Sequence, residues 1–226
     1  MKRIFMLPVF ALLLAPISFS SCSVLKGYML NEQDAAAAIR QMLEFGARDG
    51  IRGAFSKETI MQTVFPGSVG KVLNTINQLG LTNEVDRFTT TMTTAAEQTA
   101  EKSIPIFVSG IGRMSFTDAM GIVKNGGTSG TDYLRRTIGT ELRQSITPVM
   151  KSALDEYKLY DQWAKIIKPV ENLTGNKLNL DLANLMAGII SEKMFQKLEE
   201  KERDVRANAA ARTTPLLQKV FSRNWN

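Results

Sequence analysis

The chain has 226 residues, 44% of them hydrophobic, with no histidine, a single cysteine and a formal net charge of +6. The apolar share is enough for a packed core, while the missing histidine and second thiol exclude imidazole metal sites, Ser-His or Cys-His catalysis and an internal disulfide. The charge is too small and too dispersed to mark a nucleic-acid surface, so no nucleic-acid partner is expected.

The first element is a targeting segment. Lys2 and Arg3 form a positive start, Ile4 to Ala15 an apolar run, and Ser18-Phe19-Ser20-Ser21-Cys22 a small-residue cleavage site ending on the lone cysteine. This is the pattern of a bacterial lipoprotein signal, with Phe19 where leucine is usual. In such a signal the cysteine thiol is diacylated and the bond before it is cut, which is the expectation for Cys22. Two acyl chains hold where one is marginal, because each buried methylene adds about 0.8 kcal/mol. An ordinary secretion signal with a cysteine nearby by chance is the alternative. An uncleaved anchor is disfavoured, since spanning a bilayer takes about 20 apolar residues and Pro16 interrupts a shorter run.

Cleavage before Cys22 leaves 205 of the 226 residues, and losing Lys2 and Arg3 lowers the formal charge from +6 to +4. The expected organisation is a lipoprotein signal over 1–21, a lipidated tether over 22–32 and a single helical domain over 33–226. The residue directly after Cys22 is Ser23, not an acidic one. The aspartate that retains many lipoproteins in the inner membrane is therefore missing, and the expected location is the outer membrane, facing the periplasm.

Along the domain, Ala35, Ala38, Ile39, Met42, Leu43 and Phe45 recur at helical spacing, with Asn31 or Asp34 as cap and Gly46, Gly50 and Gly53 fraying the far half. A short helix opens at Ser56 and ends before Phe65-Pro66. Another carries Val69, Val72, Leu73, Ile76 and Leu79 and stops at Gly80. Gly67-Ser68-Val69-Gly70-Lys71 superficially resembles a phosphate loop but lacks the glycine spacing, the residue after the lysine and the preceding strand. A helix from Thr82 to Lys102 holds Thr89, Thr90, Thr91, Thr93 and Thr94, whose hydroxyls are expected to bond back to the preceding turn. Ser103-Ile104-Pro105 then breaks and restarts the chain.

Ser115-Phe116-Thr117-Asp118 reads as a capping box for a short helix ending at Asn125-Gly126-Gly127. Thr128 to Thr131 cap the next, which runs through Asp132 to about Ser145. Thr147-Pro148 starts another, whose spacing continues through Tyr157, Tyr160, Trp163, Ile166 and Ile167 to Lys168-Pro169. Asn172-Leu173-Thr174 falls in the following loop and matches a glycosylation acceptor, read as empty. Asn179 or Asp181 caps a long helix with Leu182, Leu185, Met186, Ile189, Ile190, Met194 and Leu198 on its buried side. Glu199 with Arg203 and Glu202 with Arg206 form i,i+4 pairs on a solvated face, contributing a few tenths of a kcal/mol each. Thr213-Thr214-Pro215 caps a last short helix. No stretch alternates with period 2 for the length of a strand.

Three stretches are distinctive: Thr131-Asp132-Tyr133-Leu134-Arg135-Arg136, Ile104-Pro105-Ile106-Phe107-Val108, and the run from Asn208 through Arg212-Thr213-Thr214-Pro215 to Phe221. Their order over Leu25 to Phe221 resembles the bacterial family catalogued as domain of unknown function 4197, with Ala209 where proline is common. The resemblance implies an all-helical fold and a secretion or lipoprotein signal, and brings no activity, cofactor or catalytic residue.

The expected fold is all-α, an irregular bundle of about eight or nine helices. Arg212 sits just ahead of a helix N-terminus, where the macrodipole disfavours a cation. Two accounts stand: a structural ion pair with a carboxylate such as Asp132, or an anion site formed by Arg212, Arg135 and Arg136 with the amides above Thr213 and Thr214. Asp132 can also pair with Arg136 on its own helix. The functional reading is a non-enzymatic helical binding or structural module tethered to the membrane and serving a protein partner. A carrier or sensor of a small apolar or anionic ligand, in a cavity lined by some of the 11 methionines, is the alternative. A hydrolase would need paired carboxylates or a Ser-Lys dyad, and no spacing, including Glu97 with Glu101, points to one. No cofactor and no metal are expected.

Overall fold

Apolar residues recurring every three or four positions bury one face of a helix, and each such stripe here finds another to pack against. The computed structural model describes residues 30–49, 53–64, 69–117, 119–175, 177 and 180–222. Among these are nine α-helices and no strand: α1 (Glu32–Asp49), α2 (Lys57–Val64), α3 (Val69–Gln78), α4 (Thr82–Arg113), α5 (Ala119–Asn125), α6 (Ser129–Glu156), α7 (Leu159–Thr174), α8 (Leu182–Ala207) and α9 (Pro215–Phe221). A 3-10 turn over Ala209–Ala211 joins α8 to α9. The fold is the expected all-α multi-helix bundle.

Four long helices, α1, α4, α6 and α8, make the centre. Ion pairs Lys102–Glu156 and Arg113–Glu141 set α6 antiparallel to α4, and Arg135–Glu199 with Arg143–Asn184 set α8 antiparallel to α6. Phe107 of α4 meets Phe195 of α8 edge-on at 5.4 Å, and Phe88 of α4 meets Trp163 of α7 at 5.5 Å. Each such pair adds about 0.5–1.5 kcal/mol beyond its burial. Helix α2 packs on α4, α3 on α7, and α5 and α9 on α1.

Several local expectations are met. Asn31 caps α1 by accepting from the Asp34 amide at 2.7 Å, Asp181 caps α8, and Thr214 caps α9 with Pro215 in its first turn. Gly80 takes φ 68° after α3. The hydroxyls of Thr89, Thr90, Thr91, Thr93 and Thr94 all donate to carbonyls four residues back.

The expected proline breaks do not occur. Helix α4 runs unbroken through Pro105 and α6 through Pro148. Both rings are exposed, while Ser103, Phe107, Ile146 and Met150 around them are buried. A proline cannot donate to the carbonyl four residues back. Facing water, the strained turns keep their buried stripes continuous, and packing overrides the local cost. Helix α7 likewise passes Pro169 and includes Asn172 in its last turn, so the acceptor triplet is helical, not a loop. The chain breaks instead at Lys158, a non-glycine residue at φ 52°, which splits the run expected to continue from Val149 to Lys168. Gly46 does not fray α1. It lies inside it, where a Cβ would stand 3.1 Å from the Leu198 Cα of α8.

Candidate functional site

The lipidation residue Cys22, the signal over 1–21 and tether residues 22–29 lie outside the described residues, as do Gly50, Gly67-Ser68, Asp118 and Asn179. No helix among the described residues is long and apolar enough to cross a membrane. No cluster of acidic or thiol side chains among them could hold a metal.

The residues singled out for chemistry are sorted by helix ends. A helix begins with amide donors and ends with carbonyl acceptors that it cannot satisfy itself. At the start of α6, Thr128 gives no side-chain cap, its hydroxyl donating instead to Asp132 at 3.0 Å. The cap comes from α8. Glu202 Oε1 accepts from the Gly130 amide at 2.9 Å, and Oε2 accepts from the Thr131 amide and hydroxyl at 2.8 Å each. The absence of a side chain at Gly130 makes the approach possible, since a Cβ there would lie 3.1 Å from Glu202 Oε1.

One turn on, Arg206 returns two bonds to Glu202 Oε1, at 3.1 and 2.8 Å. It also donates to the Val123 and Ile122 carbonyls at the end of α5, at 3.0 and 3.1 Å, and to the Ser129 hydroxyl. Its guanidinium lies over the Phe221 ring of α9 at 5.2 Å. An anion thus meets the amino end of α6 and a cation the carboxyl end of α5, the signs that helix dipoles favour.

Arg212 completes the pattern at the end of α8. Its Nε donates to the Val205 carbonyl at 2.8 Å and its Nη2 to the Arg206 carbonyl at 2.7 Å. Although Arg212 precedes α9, its side chain turns back to the carboxyl end of α8, where a cation is favourable. The expected pair with Asp132 is not formed among the described residues. Asp132 stands 4.0 Å from Arg135 on its own helix. Arg135 reaches Glu192 and Glu199 of α8 at 3.1 and 2.8 Å and lies over Phe195. Arg136 and Thr213 are exposed. Thr214 caps α9 and donates to Gln41 of α1 at 2.6 Å. The structure therefore gives Asp132, Arg135, Arg136, Arg212, Thr213 and Thr214 separate tasks and does not gather them into one anion pocket.

Sequence reasoning missed the residue at the centre. The pairs Glu199–Arg203 and Glu202–Arg206 both form, but the expectation of a solvated face is corrected: Glu202 is 0% exposed. The signal was present in the spacing. Met194, Leu198, Glu202 and Val205 continue one buried stripe, and a carboxylate on such a stripe must find donors across the interface.

Chemically, this knot is closed. Both Glu202 oxygens and the Arg206 fork are taken up by protein groups, so it can lock α5, α6, α8 and α9 together but offers no open coordination. Open space lies elsewhere: a hollow of about 410 Å³ between α2, α3 and α4, floored by Met61, Ile76 and Val85, and one of about 260 Å³ between α6 and α8. No curated protein and no solved structure matches the chain. The model of the family described as "Protein of unknown function (DUF4197)" matches residues 29–222, a span containing all three distinctive stretches, and the chain belongs to that family.

Proposed function

We propose that the chain is a non-enzymatic envelope lipoprotein, a helical binding or structural module tethered through Cys22 to the outer membrane and facing the periplasm. The observation that carries this reading is the Lys2-to-Cys22 pattern, with its positive start, short apolar run and small-residue site ending on the sole cysteine. The closed knot supports the module half of it. Thr131, Arg212 and Thr214, from the distinctive stretches, are engaged at helix ends. Cys22→Ala should move the protein from the membrane to the soluble fraction with an unchanged melting temperature. Retention of the variant on membranes would sink the anchor.

A second reading, a carrier of a small apolar ligand, is favoured by the hollow between α2, α3 and α4. Its volume of about 410 Å³ suits a small molecule, and the Lys57–Asp86 pair, 2.7 Å apart, stands among its polar lining. Solvent extraction of the purified protein followed by mass spectrometry tests it. A recurrent stoichiometric lipid supports the carrier, and an empty extract supports the module.

A further inference from the structure

The other hollow, between the middle of α6 and the first half of α8, has properties the closed knot lacks. Two arginines line it, Arg135 and Arg143, two turns apart on α6. Arg135 is braced by Glu199 at 2.8 Å and Glu192 at 3.1 Å, yet its Nε is buried with no hydrogen-bond partner among the described residues. Arg143 is exposed and has no carboxylate within 4.0 Å among the described residues. It donates only to the Asn184 carbonyl and side-chain oxygen, at 3.5 and 3.2 Å, both long for a guanidinium. Its guanidinium lies over Gly188, where an added Cβ would be 3.4 Å from Cζ and Nε. The absent side chain lets the guanidinium lie close against α8.

Ser191 lines the same hollow. It is 5% exposed and its hydroxyl makes no hydrogen bond among the described residues, although nearby threonines in this fold bond back to their own helix. The hydroxyl is thus a donor that the fold does not use. Here it shares a concave space of about 260 Å³ with two guanidiniums.

We propose that this hollow binds a phosphate group, with Arg143 as principal ligand, Arg135 as the second cation and Ser191 donating its hydroxyl. A tetrahedral oxyanion has enough acceptors for two guanidiniums and a hydroxyl together, and charge-assisted bonds of this kind are roughly twice as strong as neutral ones. Glu192 is the competing acceptor. Its side chain is 54% exposed and bonds to Arg135 only through Oε1, so it can turn to solvent while Glu199 keeps Arg135 in place. The phosphate is either a free anion or the headgroup of a phospholipid. The inference rests on the binding half of the proposed function and not on the anchor.

The test is calorimetric titration of the purified full chain in detergent with inorganic phosphate. Saturable binding is expected. Arg143→Ala should weaken it at least tenfold and Ser191→Ala several-fold, while Arg136→Ala, which removes an exposed cation of the same helix outside the hollow, leaves it unchanged. Repeating the titration with phosphatidylglycerol in the micelles separates the sources. Displacement of phosphate, dependent on Arg143, assigns a lipid headgroup, and undisturbed binding assigns a soluble anion. Absence of saturable binding, or equal weakening by Arg136→Ala and Arg143→Ala, would overturn the site. Membrane fractionation of the same chain reads the anchor independently, so an anchored chain that ignores phosphate loses the site and keeps the proposed tether.

Discussion

The two halves of α8 treat charge in opposite ways. In the second half Glu202, Arg206 and the returning Arg212 sit at helix ends, and their polar atoms are matched by amides and carbonyls of α5, α6 and α8 itself. Along the first half, Ser191 of α8 and Arg143 of α6 face a space between the same two helices, and among the described residues find little or nothing. The difference is geometric. Helix ends supply unsatisfied backbone groups in a fixed direction, so a charge there is consumed by the fold, whereas mid-helix backbone is already bonded and leaves a facing side chain free. A charged cluster in this fold is therefore best judged by where along the helix it falls.

The largest test of the closed half is Glu202→Ala. It strips two amides and a hydroxyl at the start of α6 of their acceptor and leaves the half-buried Arg206 without its carboxylate. Breaking a buried pair in this way costs about 3–5 kcal/mol, which in a chain of this size lowers the melting temperature by roughly 2–4 °C per kcal/mol. Denaturant unfolding of variant and parent measures it. A loss under about 1 kcal/mol would mean that the carboxylate is no better placed than a surface ion pair, removing the contrast with the open half.

Arg212→Ala should cost less, about 1–3 kcal/mol, because it leaves two carbonyls at the carboxyl end of α8 without a donor and does not strand a buried ion. Arg212→Lys should restore only part of the loss, since one ammonium cannot reproduce a planar fork bonded to two successive carbonyls. Full recovery with lysine would show that charge near the helix end suffices and that the observed geometry adds nothing.

What was readable beforehand was local. The stripe Ala35-Ala38-Ile39-Met42-Leu43 and the caps Asn31, Asp181 and Thr214 depend on residues within a few positions of each other, and each is where the spacing put it. The continuity of α4 and α6 at Pro105 and Pro148 is not legible, because their cost depends on whether the ring faces water, which their neighbours do not reveal. The burial of Glu202 is not legible because its partners lie 71 and 72 positions away in sequence; its spacing with Arg206 looks the same on a wet face or a buried one. Arg212 was assigned to the wrong helix end for a related reason. Sequence order puts it before α9, while the fold turns its side chain back onto α8. The hollow at Arg143 was invisible, since it arises only when Gly188 and Ser191 are brought against α6.

A glycine-to-alanine pair gives the sharpest comparison, because one substitution should have opposite signs in the two halves. At Gly46, α1 crosses the closed half of α8, and an added Cβ would stand 3.0 Å from Leu198 Cδ2 and 3.1 Å from both its Cα and Lys201 Cβ. Backbone cannot yield as a side-chain tip can, so Gly46→Ala should destabilise by about 1–3 kcal/mol through overpacking. At Gly188, in the open half, the nearest atoms are those of the Arg143 guanidinium at 3.4–3.5 Å, an exposed group free to shift. There the better helix propensity of alanine should prevail and Gly188→Ala should stabilise by up to about 1 kcal/mol. Equal signs in denaturant unfolding would mean that α6 and α8 are as tightly packed around Arg143 as α1 and α8 are around Leu198, and the space assigned to a phosphate would be gone.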